Sequence, residues 1–447
     1  MKSPCDRLVA ALSQDIIAGR LDIGARLPAH RDLAWRLGIG LGTVTKAYGI
    51  LERRGLVRSV KGRGTFVAVA EARKGPVIDL SRNAPPAVIS ERLLSRSLTA
   101  IARRVDADVF NAYPPVTGHV RFRNELARWF RRHGMEADPE CLLLTNGAQH
   151  ALSVSLSTLC VPGGTLLVEE QTYPGAISLA RHLGVRLVAI AMDGEGMRPD
   201  VLQRVLARGE RGRTAVYLTP TMQNPTTSSM SRARREAIVG VCREADVVII
   251  EDDVYALAPK SDYPPIASLA PERVFYINSL SKTLNPALRL GGLVVPRAWL
   301  DRAEATMHAS GLMVSPLSCS VMEQWLLDGS ADAISAAIQE EAGRRRSLAM
   351  DVLGGAVVRP IHVGYHLWLP LDQSDAEALD AAAKALGVLV TPPSSTTAGP
   401  STEIAHAGIR LCIGAPSGPD LERALSGIKA ILERMAARSR SELRALR

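Results

Sequence analysis

The run Val274-Phe275-Tyr276-Ile277-Asn278-Ser279-Leu280-Ser281-Lys282 decides how the larger part of this 447-residue chain folds. Its first residues are aromatic, β-branched and apolar, which predicts a buried strand. Two serine hydroxyls and a lysine amine follow, and Arg289 lies seven residues beyond Lys282. Hydroxyls, an amine and a guanidinium around one strand end can bind a phosphate and form a Schiff base in the same pocket. We therefore predict a ligand site at the end of this strand.

Three more apolar runs end in polar residues in the same way. They are residues 141–145 before Asn146-Gly147-Ala148-Gln149, residues 215–219 before a polar stretch that contains Asn224, and residues 247–250 before Glu251-Asp252-Asp253-Val254-Tyr255. Helical stretches alternate with these runs from about residue 140, which is the pattern of a mostly parallel α/β sheet. Ligands of such sheets collect at the carboxyl ends of the strands, so we expect these polar residues to share one site.

Two of the strand ends favour particular ligand groups. Gly147 opens a helix, and the backbone N–H groups of a helix start attract an anion such as a phosphate. Asp252 follows a buried strand, where a carboxylate is costly unless it meets a cation. The site is therefore predicted to hold an anionic group at one point and a cationic group at another.

These strand ends resemble those of the class I aminotransferases of fold type I, over roughly residues 76–435. The resemblance implies pyridoxal 5'-phosphate (PLP) as the cofactor, attached to Lys282 as a Schiff base. It implies that Asp252 pairs with the pyridine nitrogen, and that Tyr255 and Asn224 bond the phenolic oxygen; Lys282, Asp252 and Tyr255 are the catalytic positions. The residues that would hold the phosphate are Gly147, Ala148, Gln149, Ser279, Ser281 and Arg289.

The same resemblance extends beyond the strand ends. Tyr173 resembles the aromatic residue that stacks on the cofactor ring, and Tyr113 resembles the tyrosine that reaches the phosphate of a neighbouring subunit, which implies a homodimer. Arg410 resembles the arginine that binds the α-carboxylate of the substrate, which implies an amine or amino-acid ligand. The chain departs from the family at Thr227, where Asn-Pro-Thr-Gly is usual, and at Gly175, where some relatives have a further carboxylate-binding arginine.

The first 68 residues predict a separate, smaller fold. Apolar residues at helical spacing indicate three helices, the second over residues 31–37 and the third over residues 42–53. Residues 56–67 favour a two-stranded hairpin with a basic glycine turn. Three helices followed by a hairpin make a winged helix.

The positive charge of the chain is concentrated in this N-terminal part. Residues 1–74 contain 14 Lys and Arg against 6 Asp and Glu, a net charge of +8 out of the +9 of the whole chain. A basic domain beside a nearly neutral body is typical of a nucleic-acid binder, although a solvated basic face would have the same composition.

The segments GRLDIGARLPAHRDLAWRLGI, TVTKAYGILERRGLV and GRGTFV resemble the GntR family in order and spacing. The resemblance implies that the helix at residues 42–53 enters the major groove of double-stranded operator DNA and that the wing at residues 62–64 meets phosphate or the minor groove. Leu41 stands where the family usually has an arginine, and leucine has no donor for guanine. The candidate DNA contacts are Arg31, Thr43, Thr45, Lys46, Tyr48, Lys61 and Arg63.

A GntR-like winged helix before a fold type I body resembles the MocR/GabR-like transcriptional regulators. We predict a winged helix at residues 1–68, a linker at 69–76 and a PLP-binding body at 77–437, whose small α/β lobe begins near residue 300 and has strands at 364–369 and 387–391. The resemblance implies a regulator that senses an amine or amino acid through Lys282. An active aminotransferase with an accessory DNA-binding domain stays open, whereas intact Lys282 and Asp252 argue against a body without cofactor.

Composition excludes several other classes. The six cysteines contain no CxxC pair, which favours reduced core thiols and predicts neither disulfides nor a metal site. Charges run through the first 20 residues, unlike a signal peptide, and we find no apolar stretch of membrane-spanning length. We expect a cytoplasmic protein without a membrane partner.

Overall fold

The computed structural model describes residues 4–17, 20–21, 24–53, 56–60, 63–67, 77–160, 163–208, 213–255, 257, 262–399 and 407–445. The chain forms two compact units. One comprises Met1–Asp79, Ala378–Leu389 and Arg423–Arg447, and the other comprises Leu80–Glu377 and Val390–Glu422. The predicted linker at residues 69–76 lies outside the described residues, so the domain boundaries stay a prediction.

The N-terminal residues form the winged helix that the sequence predicted. Its helices are α1 Pro4–Ile17, α2 His30–Leu37 and α3 Leu41–Arg53, followed by strands β1 Val57–Val60 and β2 Gly64–Val67. The two strands pair antiparallel, with Val57 opposite Val67. The apolar face of α3 makes the centre of the core, because Val44, Ala47 and Leu51 are fully buried there.

The remaining elements alternate between strands and helices. The strands are β3 Ile78–Asp79, β4 Leu142–Thr145, β5 Thr165–Glu169, β6 Arg186–Ile190, β7 Met192–Asp193, β8 Gly196–Met197, β9 Thr214–Leu218, β10 Val248–Asp252, β11 Val274–Ser279, β12 Gly291–Val294, β13 His366–Pro370, β14 Val388–Leu389 and β15 Gly408–Cys412. The helices are α4 Glu91–Ala102, α5 Ala107–Asn111, α6 Val120–Arg132, α7 Ala148–Leu159, α8 Pro174–His182, α9 Pro199–Ala207, α10 Arg232–Glu244, α11 Ile266–Leu269, α12 Leu280–Thr283, α13 Leu300–Ser310, α14 Pro316–Leu327, α15 Ser330–Leu353, α16 Gln373–Ala385 and α17 Gly418–Ala445.

A seven-stranded sheet in the order β4-β12-β11-β10-β9-β5-β6 organises the larger unit. Strand β12 runs antiparallel to both of its neighbours, and the other six strands run parallel to one another. Leu166, Val216 and Ile250 are fully buried. Strands covered on both faces have continuous apolar sequences, which explains why the sequence predicted this mostly parallel sheet correctly. The polar ends of β4, β10 and β11 lie at one edge, where they build the site.

The C-terminal strands are shorter than predicted. Strand β13 pairs antiparallel with β15. The strand expected at residues 364–369 is observed at residues 366–370, so it begins two residues later than predicted. Strand β14 has only two residues, which pair in parallel with β3. Gly387, the first residue of the expected strand 387–391, has a φ of 74° and directly precedes β14. A left-handed residue of this kind follows a helix end more readily than it joins a strand.

The structure also describes the cysteines and the helices that the sequence analysis considered. All six cysteines are buried and free of disulfides. No helix among the described residues is long and apolar enough to cross a membrane.

Candidate functional site

A cavity of about 200 Å³ lies at the carboxyl ends of the central strands. Ten of the residues predicted from the sequence line it, and three residues that the sequence did not single out join them. The full lining is Asn83, Ala148, Gln149, Tyr173, Thr219, Asp252, Val254, Tyr255, Ser279, Ser281, Lys282, Arg289 and Arg410. The ends of β4, β9, β10 and β11, which are far apart in sequence, therefore line the same cavity.

Lys282 lies in the cavity wall on the short helix α12, directly after β11. Its Nζ donates a hydrogen bond to the backbone oxygen of Asn83 and lies 5.7 Å from the centre of the Tyr255 ring. Burial lowers the pKa of Lys282 to about 8. About one tenth of this amine is then uncharged at pH 7, far more than in an exposed lysine, which makes Lys282 the better nucleophile.

Asp252 ends β10 inside the cavity. Its Oδ2 accepts a hydrogen bond of 2.8 Å from the hydroxyl of Tyr217, while no group among the described residues donates to its buried Oδ1. Burial raises the pKa of Asp252 to about 6. A buried acceptor normally has a partner, so Oδ1 is suited to a ligand atom that carries a proton.

Tyr255 and Arg410 are joined by Asn224. The amide nitrogen of Asn224 donates to the Tyr255 hydroxyl at 2.9 Å, and Arg410 Nη1 donates to the amide oxygen at 2.6 Å. Arg410 also donates from Nε to Thr391 Oγ1 at 3.1 Å and from Nη2 to the backbone oxygen of Ser81 at 2.9 Å. These bonds fix the guanidinium with three of its five N–H groups.

The start of α7 forms an anion cradle with Arg289. Gly147 has a φ of 79°, which favours glycine, and a Cβ built on it would lie 2.8 Å from Arg289 Nη2, so a larger residue would displace the guanidinium. Arg289 Nη2 donates to the backbone oxygen of Asn146 at 3.1 Å. On the other side Ser279 Oγ lies 2.9 Å from Ser281 Oγ. A helix start, hydroxyls and a guanidinium together provide the donors that a phosphate requires.

Tyr173 precedes α8 and is half-buried beside Gln149. The amide nitrogen of Gln149 donates to the backbone oxygen of Gly175 at 3.1 Å. A Cβ built on Gly175 would lie 2.3 Å from the Tyr173 ring and 2.5 Å from Gln149 Oε1. The glycine at this departure from the family pattern is therefore required by the packing of its neighbours.

Tyr113 is the predicted cofactor residue that lies apart from the others. Its side chain is 83% exposed, and it is absent from the cavity lining. Its predicted contact with a neighbouring subunit stays a prediction.

The predicted DNA-binding surface is mostly exposed. Arg31, Thr45, Lys46 and Arg63 are exposed, and Thr43 is half-buried. Thr45 Oγ1 also donates to the backbone oxygen at position 41, at the start of α3. Lys61 lies outside the described residues.

The prediction of Tyr48 as a DNA contact is wrong. The side chain is only 2% exposed, its hydroxyl donates to the backbone oxygen of Pro28 at 2.9 Å, and its ring packs edge-on against His30. Tyr48 lies on the apolar face of α3, three and four residues from Leu51 and Val44, so helical periodicity places it in the core.

Sequence reasoning missed Tyr217 and Asn83. Tyr217 lies within the apolar strand β9, and its hydroxyl was a usable signal, because a buried tyrosine hydroxyl normally finds a partner. Asn83 lies between β3 and α4 in an irregular segment that has no periodicity to interpret. Its role depends on contacts with residues distant in sequence.

Two family models match the chain. The model for aminotransferase class I and II matches residues 75–428, and the model for bacterial regulatory proteins of the gntR family matches residues 4–67. The first alone spans more than half of the chain.

Several known proteins match most of the chain. The HTH-type transcriptional regulator YdeF of Bacillus subtilis is 29% identical over 95% of this chain and 94% of its own length. The vitamin B6 salvage pathway transcriptional repressor PtsJ of Salmonella typhimurium is 30% identical over 81% of this chain and 84% of its own. The crystal structure of an archaeal alanine:glyoxylate aminotransferase, 22% identical, matches with a TM-score of 0.73 over 88% of this chain and 95% of its own, which shows the shared fold.

The winged helix, the mostly parallel sheet and the two family matches lead to one assignment. The chain belongs to the class I and II aminotransferase family through its body and to the gntR family through its N-terminal domain, and it is an HTH-type transcriptional regulator of the MocR and PdxR type.

Proposed function

We propose that this regulator binds PLP at Lys282 and that an amine or amino acid binding there changes the affinity of the winged helix for operator DNA. The observation that carries the proposal is the buried, unpartnered Oδ1 of Asp252. A protonated pyridine nitrogen is a cationic donor of the kind that this oxygen requires.

The other cavity residues fit the same group. When bound, PLP supplies an electrophilic aldehyde carbon to which amines bond reversibly. The Lys282 amine, with its pKa lowered to about 8, would hold that carbon. Asn224 and Tyr255 would orient the phenolic oxygen, and the Tyr173 ring would cover the pyridine ring. The residues that would hold the phosphate are Gly147, Ala148, Gln149, Ser279, Ser281 and Arg289.

Arg410 supports an amine ligand that also has a carboxylate. Its guanidinium lines the cavity and is fixed by Asn224, Thr391 and Ser81. A fixed, planar guanidinium binds a carboxylate with little loss of side-chain entropy. The effector would bond the cofactor through its amine and Arg410 through its carboxylate.

The second candidate function is an active aminotransferase with a DNA-binding domain. Lys282, Asp252 and Tyr255 all line the cavity, so the residues that catalysis needs are together. Rapid turnover of a natural amino acid, on the order of 1–10³ per second, together with a DNA affinity that ignores every amine tested, would favour the enzyme.

Trapping the cofactor and measuring DNA affinity test the proposal. Borohydride reduction of the PLP-loaded protein, followed by peptide mass mapping, should place a pyridoxyl group on Lys282. In a separate, unreduced sample of PLP-loaded protein, the effector should change operator affinity by about 5- to 150-fold, the usual range of allosteric coupling. Lys282→Ala should keep basal DNA binding and lose this response. An unmodified Lys282 in reduced, PLP-saturated protein would refute the proposal.

We further propose that the protein acts as a homodimer. Leu94 and Leu98 lie four residues apart on one face of α4 and are each 42% exposed, and Phe110 and Tyr113 are exposed nearby in sequence. Exposed apolar side chains at helical spacing favour a contact surface. Analytical ultracentrifugation should find a dimer of the full chain. Tyr113→Phe should weaken PLP binding if the Tyr113 hydroxyl contacts the phosphate of PLP bound in the partner subunit.

A further inference from the structure

His366 lies on β13 beside the cavity and is only 1% exposed. Its Nε2 lies 3.3 Å from the backbone oxygen of Gln223, and its Nδ1 lies 3.3 Å from the side-chain nitrogen of Asn83. A backbone oxygen can only accept, so Nε2 must carry the ring proton. Nδ1 of the neutral ring is then a bare acceptor.

This tautomer fixes the amide of Asn83. A bare Nδ1 accepts from the NH₂ group of Asn83 and would repel its oxygen, so the amide has only one favourable orientation. Burial, with a smaller contribution from Arg410, lowers the pKa of His366 to about 3. The ring therefore stays neutral at physiological pH and keeps the amide in place.

The orientation leaves Asn83 Oδ1 as a free acceptor. The atom is buried, and no group among the described residues donates to it. Asn83 lines the cavity, and its backbone oxygen accepts from Lys282 Nζ. The unpartnered oxygen thus belongs to a cavity residue whose backbone contacts the amine to which the cofactor would attach.

The charges around Asn83 indicate which donor would bind there. Lys282, Arg289 and Arg410 line the same cavity against the single carboxylate of Asp252, so an additional cation would be repelled on balance. A neutral hydroxyl donates to an amide oxygen without this cost. The surroundings therefore favour an O–H donor over an ammonium.

We propose that Asn83 is a specificity-determining residue that selects hydroxylated amino acids or amines as effectors, and that His366 is the positioning residue that turns the Asn83 oxygen toward them. The proposal rests on the proposed function, because it assumes that the effector binds at Lys282. A hydroxylated ligand would supply the donor that this buried oxygen lacks, and a ligand without the hydroxyl would leave it unpaired. Leaving a buried acceptor unpaired weakens binding by about 5- to 150-fold.

The test uses the full-length, PLP-loaded protein and absorbance titrations with ligand pairs that differ by one hydroxyl. The pairs are serine and alanine, threonine and 2-aminobutyrate, isoserine and β-alanine, and 4-amino-3-hydroxybutanoate and 4-aminobutanoate. We expect the hydroxylated member to bind at least 5-fold more tightly in the pair that fits best. Both members of a pair are titrated into the same protein preparation, so differences in PLP loading cancel in the ratio of the two dissociation constants.

Two variants identify the residues responsible. Asn83→Leu should bring the ratio close to one, because it removes the acceptor. The His366 ring centre lies 5.1 Å from that of Tyr255. His366→Phe retains this aromatic contact and frees the amide, so it should lower the ratio as well. The matched control is Asn124→Leu at an exposed position of α6, which should keep the wild-type ratio.

The outcomes separate this inference from the proposed function. Equal binding of both members of every pair, or a preference that survives Asn83→Leu, would overturn the role of Asn83 while leaving the PLP site intact. A loss of preference in Asn83→Leu but not in His366→Phe would overturn the positioning role of His366. A protein that takes up no PLP, or whose spectrum responds to no amine, would refute both proposals.

Discussion

The two ligand-facing surfaces of this chain are built in opposite ways. In the cavity, Asp252 and Arg410 are buried and each is bonded to neighbouring side chains. On the winged helix, the predicted contacts Arg31, Lys46 and Arg63 are exposed. Bonds within the protein hold the cavity side chains in place, whereas the exposed side chains predicted to contact DNA would lose conformational entropy on binding. Single substitutions should therefore have large effects in the cavity and small effects on the winged helix.

Asp252→Asn should have the largest effect. The substitution keeps the shape of the side chain and removes its charge, so a protonated pyridine nitrogen would be buried without an ionic partner. PLP affinity should fall by about 3–5 kcal/mol, measured by equilibrium dialysis with absorbance detection.

Tyr217→Phe provides a graded control for Asp252→Asn. It removes only the hydroxyl that donates to Oδ2, and it should weaken PLP binding by about 0.5–1.5 kcal/mol. Equal losses in the two variants would show that the Asp252 charge is not what the cofactor recognises.

Gly147→Ala should have an intermediate effect. Its φ of 79° with a ψ of 175° is accessible almost only to glycine, and the added Cβ would displace the Arg289 guanidinium. The backbone strain should cost about 1–3 kcal/mol, measured as an earlier urea unfolding transition of the body, together with weaker PLP binding.

Gly343→Ala is the matched control for this backbone effect. Gly343 lies inside helix α15 and has no atom within 4 Å of a Cβ position. Alanine should stabilise that helix by about 0.5–1 kcal/mol. Equal destabilisation by both substitutions would show that the loss at Gly147 does not come from its positive φ or from its contact with Arg289.

On the winged helix, Arg63→Ala should weaken DNA binding only slightly. An exposed arginine that contacts one phosphate contributes about 0.9 to the slope of log affinity against log salt concentration. Fluorescence anisotropy with operator DNA at several salt concentrations should detect a slope reduced by this amount. A loss that is independent of salt would show that Arg63 reads a base or stabilises the wing.

Tyr48→Phe separates folding from DNA binding in the same domain. The variant loses the hydrogen bond to Pro28 and should lower the free energy of unfolding by about 0.5–1.5 kcal/mol. Its salt slope should equal that of the wild type, because Tyr48 is buried. A changed slope would restore Tyr48 as a DNA contact.

The same contrast explains how far the sequence could predict the molecule. The apolar strands and the polar residues at their ends were readable, because burial on both faces and ligand binding at strand ends leave a local pattern. Tyr48 was misassigned although its helical spacing indicated a buried position. The roles of Asn83 and His366 could not be read, because they arise from contacts between segments about 280 residues apart.

The packing at Gly175 limits how the specificity of this protein could be redesigned. Converting the site to recognise a second carboxylate by introducing an arginine at position 175 is the obvious engineering step, yet the Tyr173 ring and Gln149 already fill the required volume. A successful design would have to replace Tyr173 or Gln149 at the same time, and these are two residues predicted to hold the cofactor. Acceptance of a dicarboxylate would therefore compete with the proposed binding of PLP in this scaffold.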